Sequence, residues 1–551
     1  MGDEALRPRH GTPRSRPSAR ESTRESDKRM SNTATTPNQP SPHLAQLTSV
    51  WVFAAAMLCL AWTGFIASDD SYYAQAGAGW ATHFPYVGPD FATSRYVIAL
   101  PIGLMIRLFG ESEFSIVLST CLYLLLTLTL TLPMLSRLVG AGFATLTCCL
   151  MASLPLLATR ATIPSADLPE LFFVAAAVWL FWLATQREQR FGLLVAAGAS
   201  TALAFGAHEV TGGLIIGFLL LFLAGYRIPR AQYWIMAIGF LGAIGLECLY
   251  YWAAAGNPLY RLAMLAPIAA GGAGLAPLNG DRVRVGVFEL AQGGTLHVHQ
   301  ALDPLLMFLT HHDFSLLGWF SLPALWWCCV THRRDMSAPL VAARLFAVFA
   351  LGWFLFSAVL LRDLVLLTRY FMVVAYLLAL IVAIWARFAL WPARKPLLLI
   401  AAALFLAVNL LLISLDDKNP RFGERMLVGY LAQSTGPLSV DPETARRAYY
   451  FCRWSGQDCS RLVVGPPQGG AQQYFHYAEN TRRGFNKSIK SDTEAGRYSP
   501  QPDWKMLWSR QEADKPLTGL VDALGLQQRL PASIYRKLAG PGRKVVVYQL
   551  P

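Results

Sequence analysis

Stretches of uninterrupted apolar residues recur along this chain, and they restrict the fold more than any other feature. A helix needs about 20 such residues to cross the hydrocarbon core of a bilayer. Runs of that kind fall near 48–67, 113–135, 142–159, 168–185, 191–206, 210–226, 231–254, 304–331, 343–361, 365–386 and 396–415. With 54% hydrophobic and 15% charged residues over 551 positions, the chain is too apolar for a soluble globular protein. The expected fold class is an α-helical polytopic membrane protein with about eleven transmembrane helices.

The formal net charge of +13 is informative through its placement. Residues 1–46 are rich in Arg, Ser, Thr and Pro, lack apolar periodicity and read as a disordered basic tail. Eight basic and five acidic residues leave this tail only +3, so it is read as a topology signal that touches anionic headgroups, and no nucleic acid is expected. The polar stretch before the first run is longer than the n-region of a signal peptide, so an uncleaved first span is expected. With the tail in the cytoplasm, the inner loops carry Arg137, then Arg187 and Arg190, Arg227 and Arg230, Arg333 and Arg334, and finally Arg387, Arg394 and Lys395. Every inner loop is then basic, as the positive-inside rule asks. The same count puts residues 68–112, 160–167, 207–209, 255–303 and 362–364 on the outer face.

An odd number of spans also places everything after about residue 415 outside. Composition changes there: residues 416–551 are polar, with β-type runs at 461–464 and 544–548 between helix-like and Pro/Gly-rich stretches, and read as a small soluble α/β domain. The expected organisation is thus a tail over 1–46, a membrane domain over 47–415 with outer loops 68–112 and 255–303, and an outer domain over 416–551. Cys452 and Cys459 would lie in an oxidising compartment, where a local disulfide and two free thiols are both open. The other cysteines form no disulfide framework and no CxxC pattern. No internal repeat and no pair of Pro/Gly-broken helices in matching halves is present, which weighs against a transporter.

Charged residues at the outer loops are the candidates for chemistry. The first loop opens Ser68-Asp69-Asp70-Ser71-Tyr72-Tyr73-Ala74-Gln75. A carboxylate at the mouth of a span, beside aromatics that can line a cleft, could take a proton from an acceptor hydroxyl; the plainer alternative is two acids that cap a helix or contact water. The loop continues through Arg95 to a helix-like stretch that ends at Gly110, read as lying along the membrane surface. Arg95 could pair with the acids or with a phosphate, or snorkel. A third acid, Asp167, opens the fourth span, where a simple N-cap is the alternative.

Taken together these features resemble the GT-C glycosyltransferases that use polyprenyl-phosphate sugars, including the protein mannosyltransferases and the lipid A aminoarabinose transferases. Three segments carry the resemblance: the acidic pair followed by Tyr73-Ala74, the Arg-to-Pro stretch 95–101 leading into Leu-Phe-Gly-Glu-Ser-Glu-Phe at 108–114, and Asp167-Leu-Pro before a span. Thr368-Arg369-Tyr370 at the opening of the tenth span adds a fourth. The likeness covers roughly residues 48–415. Two departures bear on the subfamily, and so on donor sugar and acceptor: Arg95-Tyr96-Val97 replaces an Arg-Pro-Pro pattern, and the prolines common after the Arg-Tyr signature are missing after Tyr370.

The resemblance implies that Asp69 or Asp70 is the general base and that Asp167 supports it. The motif does not choose between the neighbours; Asp69 emerges first from the span and is favoured on that ground. Arg95, His208, Arg282, Arg284 and Arg369 are the implied holders of the donor phosphate, with Tyr72, Tyr73, Glu209, His297 and His299 around the substrates. Intramembrane Arg is costly, which marks Arg369 as functional. His297-x-His299 lacks an evident third ligand, so no metal site is expected there, and no other cofactor is expected. Gly271-Gly272-Ala273-Gly274 follows no strand and precedes no Gly-Lys-Ser/Thr, so nucleotide binding is not expected.

Displacing a polyprenyl phosphate from an anomeric carbon leaves charge on the phosphate and requires a proton to leave the acceptor hydroxyl; one carboxylate and a cationic clamp meet both needs. The expected activity is an inverting glycosyltransferase in a bacterial inner membrane, acting at the periplasmic face on a glycolipid, envelope glycan or protein acceptor. A polytopic transporter or flippase, and an envelope-assembly protein with merely solvated acids, are the alternatives.

Overall fold

The computed structural model describes residues 42–269, 287–290, 294–297, 302–331, 337–360, 367–467, 472–484, 496–526 and 538–551. Each of the eleven apolar runs coincides with a helix or a broken pair of helices. They are α1 (Pro42–Ala61), α4 (Glu113–Val139), α5 (Ala141–Ala152) with α6 (Pro155–Ala161), α7 (Asp167–Thr185), α8 (Phe191–Ala207), α9 (Gly212–Ala224), α10 (Tyr233–Ala255), α12 (Asp303–Thr310) with α13 (Leu317–Val330), α14 (Ala338–Leu355), α15 (Met372–Trp385) and α16 (Trp391–Ser414). Between them lie α2 (Asp70–Thr82), α3 (Tyr96–Phe109), α11 (Tyr260–Ala269) and the hairpin β1 (Val287–Leu290) and β2 (Gly294–His297). Among the described residues, 6 helices are long and apolar enough to cross a membrane, or 7 if α5 and α6 form one bent span.

Two of the expected straight spans are interrupted. α5 and α6 meet at 65°, because Pro155 cannot donate to the preceding turn and holds Leu154 in an extended conformation at φ −64°, ψ 124°. The run 304–331 breaks at His311-His312-Asp313, where α12 ends in an extended residue and Ser315 takes φ 51°. The first helix also stops short, at Ala61.

The bundle core is built from the largest buried side chains, among them Trp179, Phe181, Phe346, Trp353 and Tyr376. The Tyr376 hydroxyl lies 2.8 Å from Thr131 Oγ1 and accepts from Trp179 Nε1 at 2.8 Å, so a polar contact joins α4, α7 and α15 inside an apolar surround. α8 and α10 touch backbone to backbone: a Cβ on Gly198 would lie 1.9 Å from the Met236 carbonyl oxygen, and one on Gly239 2.0 Å from that of Val195. Such small-residue contacts are how helices associate in lipid, where apolar burial gives little. α3 ends at Gly110 with φ 81°, and its exposed face carries Leu100, Leu104 and Leu108, an apolar stripe at helical spacing.

After α16 come α17 (Phe422–Leu431), β3 (Leu438–Val440), α18 (Pro442–Ser455), β4 (Leu462–Val464), β5 (Gln473–His476), α19 (Ala478–Gly484), β6 (Lys505–Gln511) and β7 (Lys544–Gln549). The strands form one sheet in the order β4-β3-β5-β7-β6. β3 pairs parallel with β4 and β5, whereas β7 pairs antiparallel with β5 and β6. Both β-type runs seen in the sequence are strands of this sheet, and Cys452 and Cys459 are disulfide-bonded with Cα atoms 6.1 Å apart. The sheet shares a hydrophobic cluster with the first loop: Phe65, Tyr73, Ile98 and Ile102 pack with Phe422, Leu427, Phe451, Phe475 and Val547. Arg425 spans both oxygens of Glu113 at 2.5 and 2.9 Å, a bidentate clamp between α17 and α4.

Candidate active site

The two neighbouring acids of the first loop have different environments, and the backbone after α1 is the cause. Gly64 at φ 81° and Ala67 at φ 49° turn the chain sharply, so the amides of residues 66–68 converge on one point. Asp70 fills that point. Its Oδ2 accepts from the N–H groups of Ile66 and Ala67 at 2.5 and 3.2 Å, and its Oδ1 from that of Ser68 at 2.5 Å. Arg421 donates to the Ile66 carbonyl and fastens the same turn from the other side. Burial pushes the Asp70 carboxyl up to about 6, against the opposing pull of the Ser68 and Ile66 amides and of Arg421. Asp69, one residue earlier, makes no capping bond to α2; its side chain is 55% exposed and meets Arg369 Nη2 at 3.2 Å.

Arg369 stands on a single turn, Thr368–Phe371, directly before α15. Its guanidinium lies 5.7 Å from the Tyr370 ring centroid and interacts with Asp167 as well as Asp69. Asp167 is the first residue of α7, where a carboxylate complements the helix dipole. It is buried, and among the described residues its Oδ2 has no hydrogen-bond partner. The basic groups around it are Arg369, His208 and Arg160, and Glu170 and Tyr73 interact with it as well. His208 Nδ1 sits 3.1 Å from Glu170 Oε2, and Thr211 Oγ1 donates to Glu170 Oε1 at 2.7 Å. Asp69, Arg369, Asp167 and His208 are therefore gathered into one assembly from the start of α2, α7, the end of α8 and the turn before α15.

Arg95, Tyr73 and Glu209 belong to a second, closed assembly. Arg95 donates to the Tyr73 hydroxyl at 2.7 Å and to Glu209 Oε2 at 2.6 Å. Arg261 engages the other Glu209 oxygen at 2.8 Å and reaches Glu247 Oε1 at 3.3 Å. Burial pushes the Tyr73 hydroxyl pKa up, so it stays neutral in this network. Tyr72 turns away from it. Together with Ser68, Ser71, Gln75, Tyr449, Tyr450, Arg446 and Arg453, it lines a cleft of about 810 Å3 between α2 and α18.

Arg282, Arg284 and His299 lie outside the described residues; so does the side chain of His297, whose backbone closes β2. Sequence reasoning assigned no role to Glu170, Arg160 or Arg261, and it named Thr368 only within the Thr368-Arg369-Tyr370 signature. Glu170 follows Asp167 by three positions, the spacing that puts two acids on one face of a helix, and this was the available signal. Arg261 had none, since its partners come from α10 and the end of α8.

The geometry can bind an anion at Arg369 while Asp69, exposed and hydrogen-bonded to the same guanidinium, is free to receive a proton through its other oxygen. Comparison with known proteins bears on what such a site serves. The family model described as dolichyl-phosphate-mannose-protein mannosyltransferase matches residues 96–252. The structure of ArnT from Cupriavidus metallidurans bound to undecaprenyl phosphate superposes with a TM-score of 0.52 at 13% identity, over 92% of this chain and 98% of that one. The oligosaccharyltransferase of Archaeoglobus fulgidus in the apo form matches with a TM-score of 0.52 at 11% identity, over 92% of this chain and 88% of that one. This is the GT-C fold. A sequence comparison with curated proteins finds no match. The many apolar helices and the small sheet after the last of them are as the sequence led us to expect.

Proposed function

We propose that the chain is an inverting glycosyltransferase that moves a sugar from a polyprenyl-phosphate carrier to an acceptor hydroxyl at the periplasmic face of a bacterial inner membrane. The observation that carries this reading is the placement of Arg369 between an exposed carboxylate, Asp69, and a buried one, Asp167. The acceptor oxygen attacks the anomeric carbon as the bond to the carrier phosphate breaks. The acceptor proton goes to Asp69, and the negative charge left on the lipid phosphate is met by Arg369. Asp167 is a positioning residue: from the start of α7 its charge holds the guanidinium in place. A single displacement inverts the anomeric centre.

The cleft between α2 and α18 is suited to the acceptor, because Tyr72, Tyr449 and Tyr450 offer faces to sugar rings and Arg446 and Arg453 offer donors to acidic groups. In this reading residues 1–46 are the cytoplasmic tail, 47–415 the membrane domain and 416–551 the periplasmic domain that forms one wall of the cleft. The likeness of the fold to ArnT, whose structure holds undecaprenyl phosphate, supports a carrier of that chemical class.

The test is transfer from radiolabelled polyprenyl-phosphate sugars to envelope lipid extracts, with purified protein in nanodiscs and Asp69→Asn, Asp70→Asn and Asp167→Asn beside wild type. Transfer by wild type that is abolished in a well-folded Asp69→Asn variant is the expected result. Full activity in that variant would remove Asp69 as the base, and no transfer by wild type across a broad donor and acceptor panel would remove the reading itself.

A further inference from the structure

The break in the run 304–331 leaves His311, His312 and Asp313 between α12 and α13, and their side chains converge. His312 Nε2 lies 3.2 Å from Asp313 Oδ1, and His311 Nδ1 3.6 Å from Asp313 Oδ2. One ligand atom from each of the three residues falls within 4.8 Å of the others. Asp416, two residues past α16, adds Oδ1 at 3.8 Å from His312 Nε2. In a tetrahedral complex with metal–ligand bonds of about 2.0–2.2 Å, adjacent ligand atoms stand roughly 3.3–3.6 Å apart. The separation of His312 Nε2 from Asp313 Oδ1 is close to what one ion would require, and that from Asp416 Oδ1 is slightly longer; His311 Nδ1 accepts from the Asp313 N–H at 3.3 Å, which leaves Nε2 as the His311 atom for an ion.

The two carboxylates are also oriented from behind. Thr368 Oγ1 donates to Asp313 Oδ2 at 2.5 Å, and Thr159 Oγ1 donates to Asp416 Oδ2 at 3.1 Å. Each hydroxyl holds one oxygen, and in both cases Oδ1 is the oxygen nearer His312. Metal-binding carboxylates are commonly aligned in this way. Arg160 lines the adjoining cleft of about 240 Å3 with Asp313 and Asp416.

We propose that His311, His312 and Asp313, with Asp416 at the fourth position, bind a divalent transition-metal ion of the zinc class. Mixed imidazole and carboxylate ligands suit zinc, cobalt or nickel, whereas magnesium and calcium favour all-oxygen sites. Thr368 connects this site to the turn that carries Arg369, so the ion fixes Asp313, Asp313 fixes Thr368, and the neighbouring guanidinium is held toward Asp69. Metal binding itself does not depend on the proposed reaction and can be measured without it.

The probe is Co2+, added to the full chain in nanodiscs after treatment with a chelator. The expected result is a visible absorption band of four-coordinate cobalt, displaced by Zn2+, lost in His312→Ala, weakened in Asp313→Asn and kept in His83→Ala, which alters an exposed histidine on another loop. Thr368→Val removes no ligand and should weaken binding about 10- to 100-fold by freeing Asp313. Should His312→Ala fail to fold, this variant tests the site alone. No cobalt band in wild type, a band unchanged in a folded His312→Ala, or unchanged affinity in Thr368→Val would each overturn the proposal.

Discussion

His208 and Glu209 are consecutive, yet they serve two charge clusters of different construction. His208 faces Glu170 and Asp167, in the cluster where Asp69 is exposed and Asp167 keeps an oxygen without a hydrogen-bond partner among the described residues. Glu209 is gripped on both oxygens by Arg95 and Arg261, whose terminal nitrogens are all engaged. The same division separates Asp69 from Asp70 and Tyr72 from Tyr73: in each pair one side chain faces the open cluster or the cleft between α2 and α18, and the other is bonded within the protein itself. Residue type therefore does not mark function here. Unpartnered atoms do not mark it either, since Arg95 Nε, Arg261 Nε and Glu247 Oε2 are buried without a hydrogen-bond partner among the described residues; exposure separates Asp69 from Asp70 and Tyr72 from Tyr73.

The sharpest way to break this comparison is Asp69→Asn. An amide cannot take the acceptor proton, and loss of a general base lowers kcat by roughly 10^2- to 10^4-fold. Because Asp69 caps nothing and is largely exposed, the thermal midpoint should stay within about 1 °C of wild type. Single-turnover transfer beside a melting curve checks both halves. A variant that melts early and transfers normally would exchange the roles of the two clusters.

Glu209→Gln tests the closed side. It leaves Arg95 and Arg261, with side chains only 12% and 5% exposed, without their shared counter-charge. Removing one partner of a buried ion pair costs about 3–5 kcal/mol, to be read as a fall in unfolding free energy in detergent. Donor affinity of the fraction that folds should be unchanged, since neither arginine is asked to hold the carrier. A tenfold weaker donor affinity with intact stability would instead make Arg95 a phosphate ligand.

Asp70 gives a pH signature of its own. Its folded pKa, about 6, lies above the ordinary value of 3.8, so the fold prefers the protonated acid. The stability this contributes is complete below about pH 4 and is lost as pH rises through 6, on the order of 3 kcal/mol over the window. Wild type should lose stability relative to Asp70→Asn between pH 4 and 6, and unfolding curves of both proteins across that range provide the check. A constant difference would mean that the three amides keep Asp70 ionised throughout.

How much of this was legible in the sequence follows from what each signal measures. Apolar runs report burial in lipid or core, so the helices of the bundle were visible. The short strand runs at 461–464 and 544–548 stood out only because the residues around them are polar. The same averaging hid the break at His311-His312-Asp313, because three polar residues barely change the mean of a 28-residue run. Asp69, Asp167 and Arg369 were recognisable from motifs at the ends of spans. The split between Asp69 and Asp70 was not, because it is decided by the backbone turn at Gly64 and Ala67, and the Arg261–Glu209 pair is a tertiary contact that no local spacing encodes.

The smallest effects are expected in the tyrosine pair, where one hydroxyl is removed from each side of the comparison. Tyr73→Phe leaves Arg95 Nη1 without its acceptor in a buried site, which costs about 1–3 kcal/mol, with transfer reduced only in proportion to the protein that unfolds. Tyr72 is 47% exposed in the cleft, so Tyr72→Phe should change stability by no more than about 0.5 kcal/mol. If the cleft receives the acceptor, the same substitution raises KM for acceptor a few-fold and leaves KM for donor unchanged, because a single hydrogen bond to a neutral group contributes about 0.5–1.5 kcal/mol. Equal stability losses in the two variants would show that the cleft side supports the fold as much as the closed side does, and the contrast between the neighbours would then carry no functional meaning at this pair.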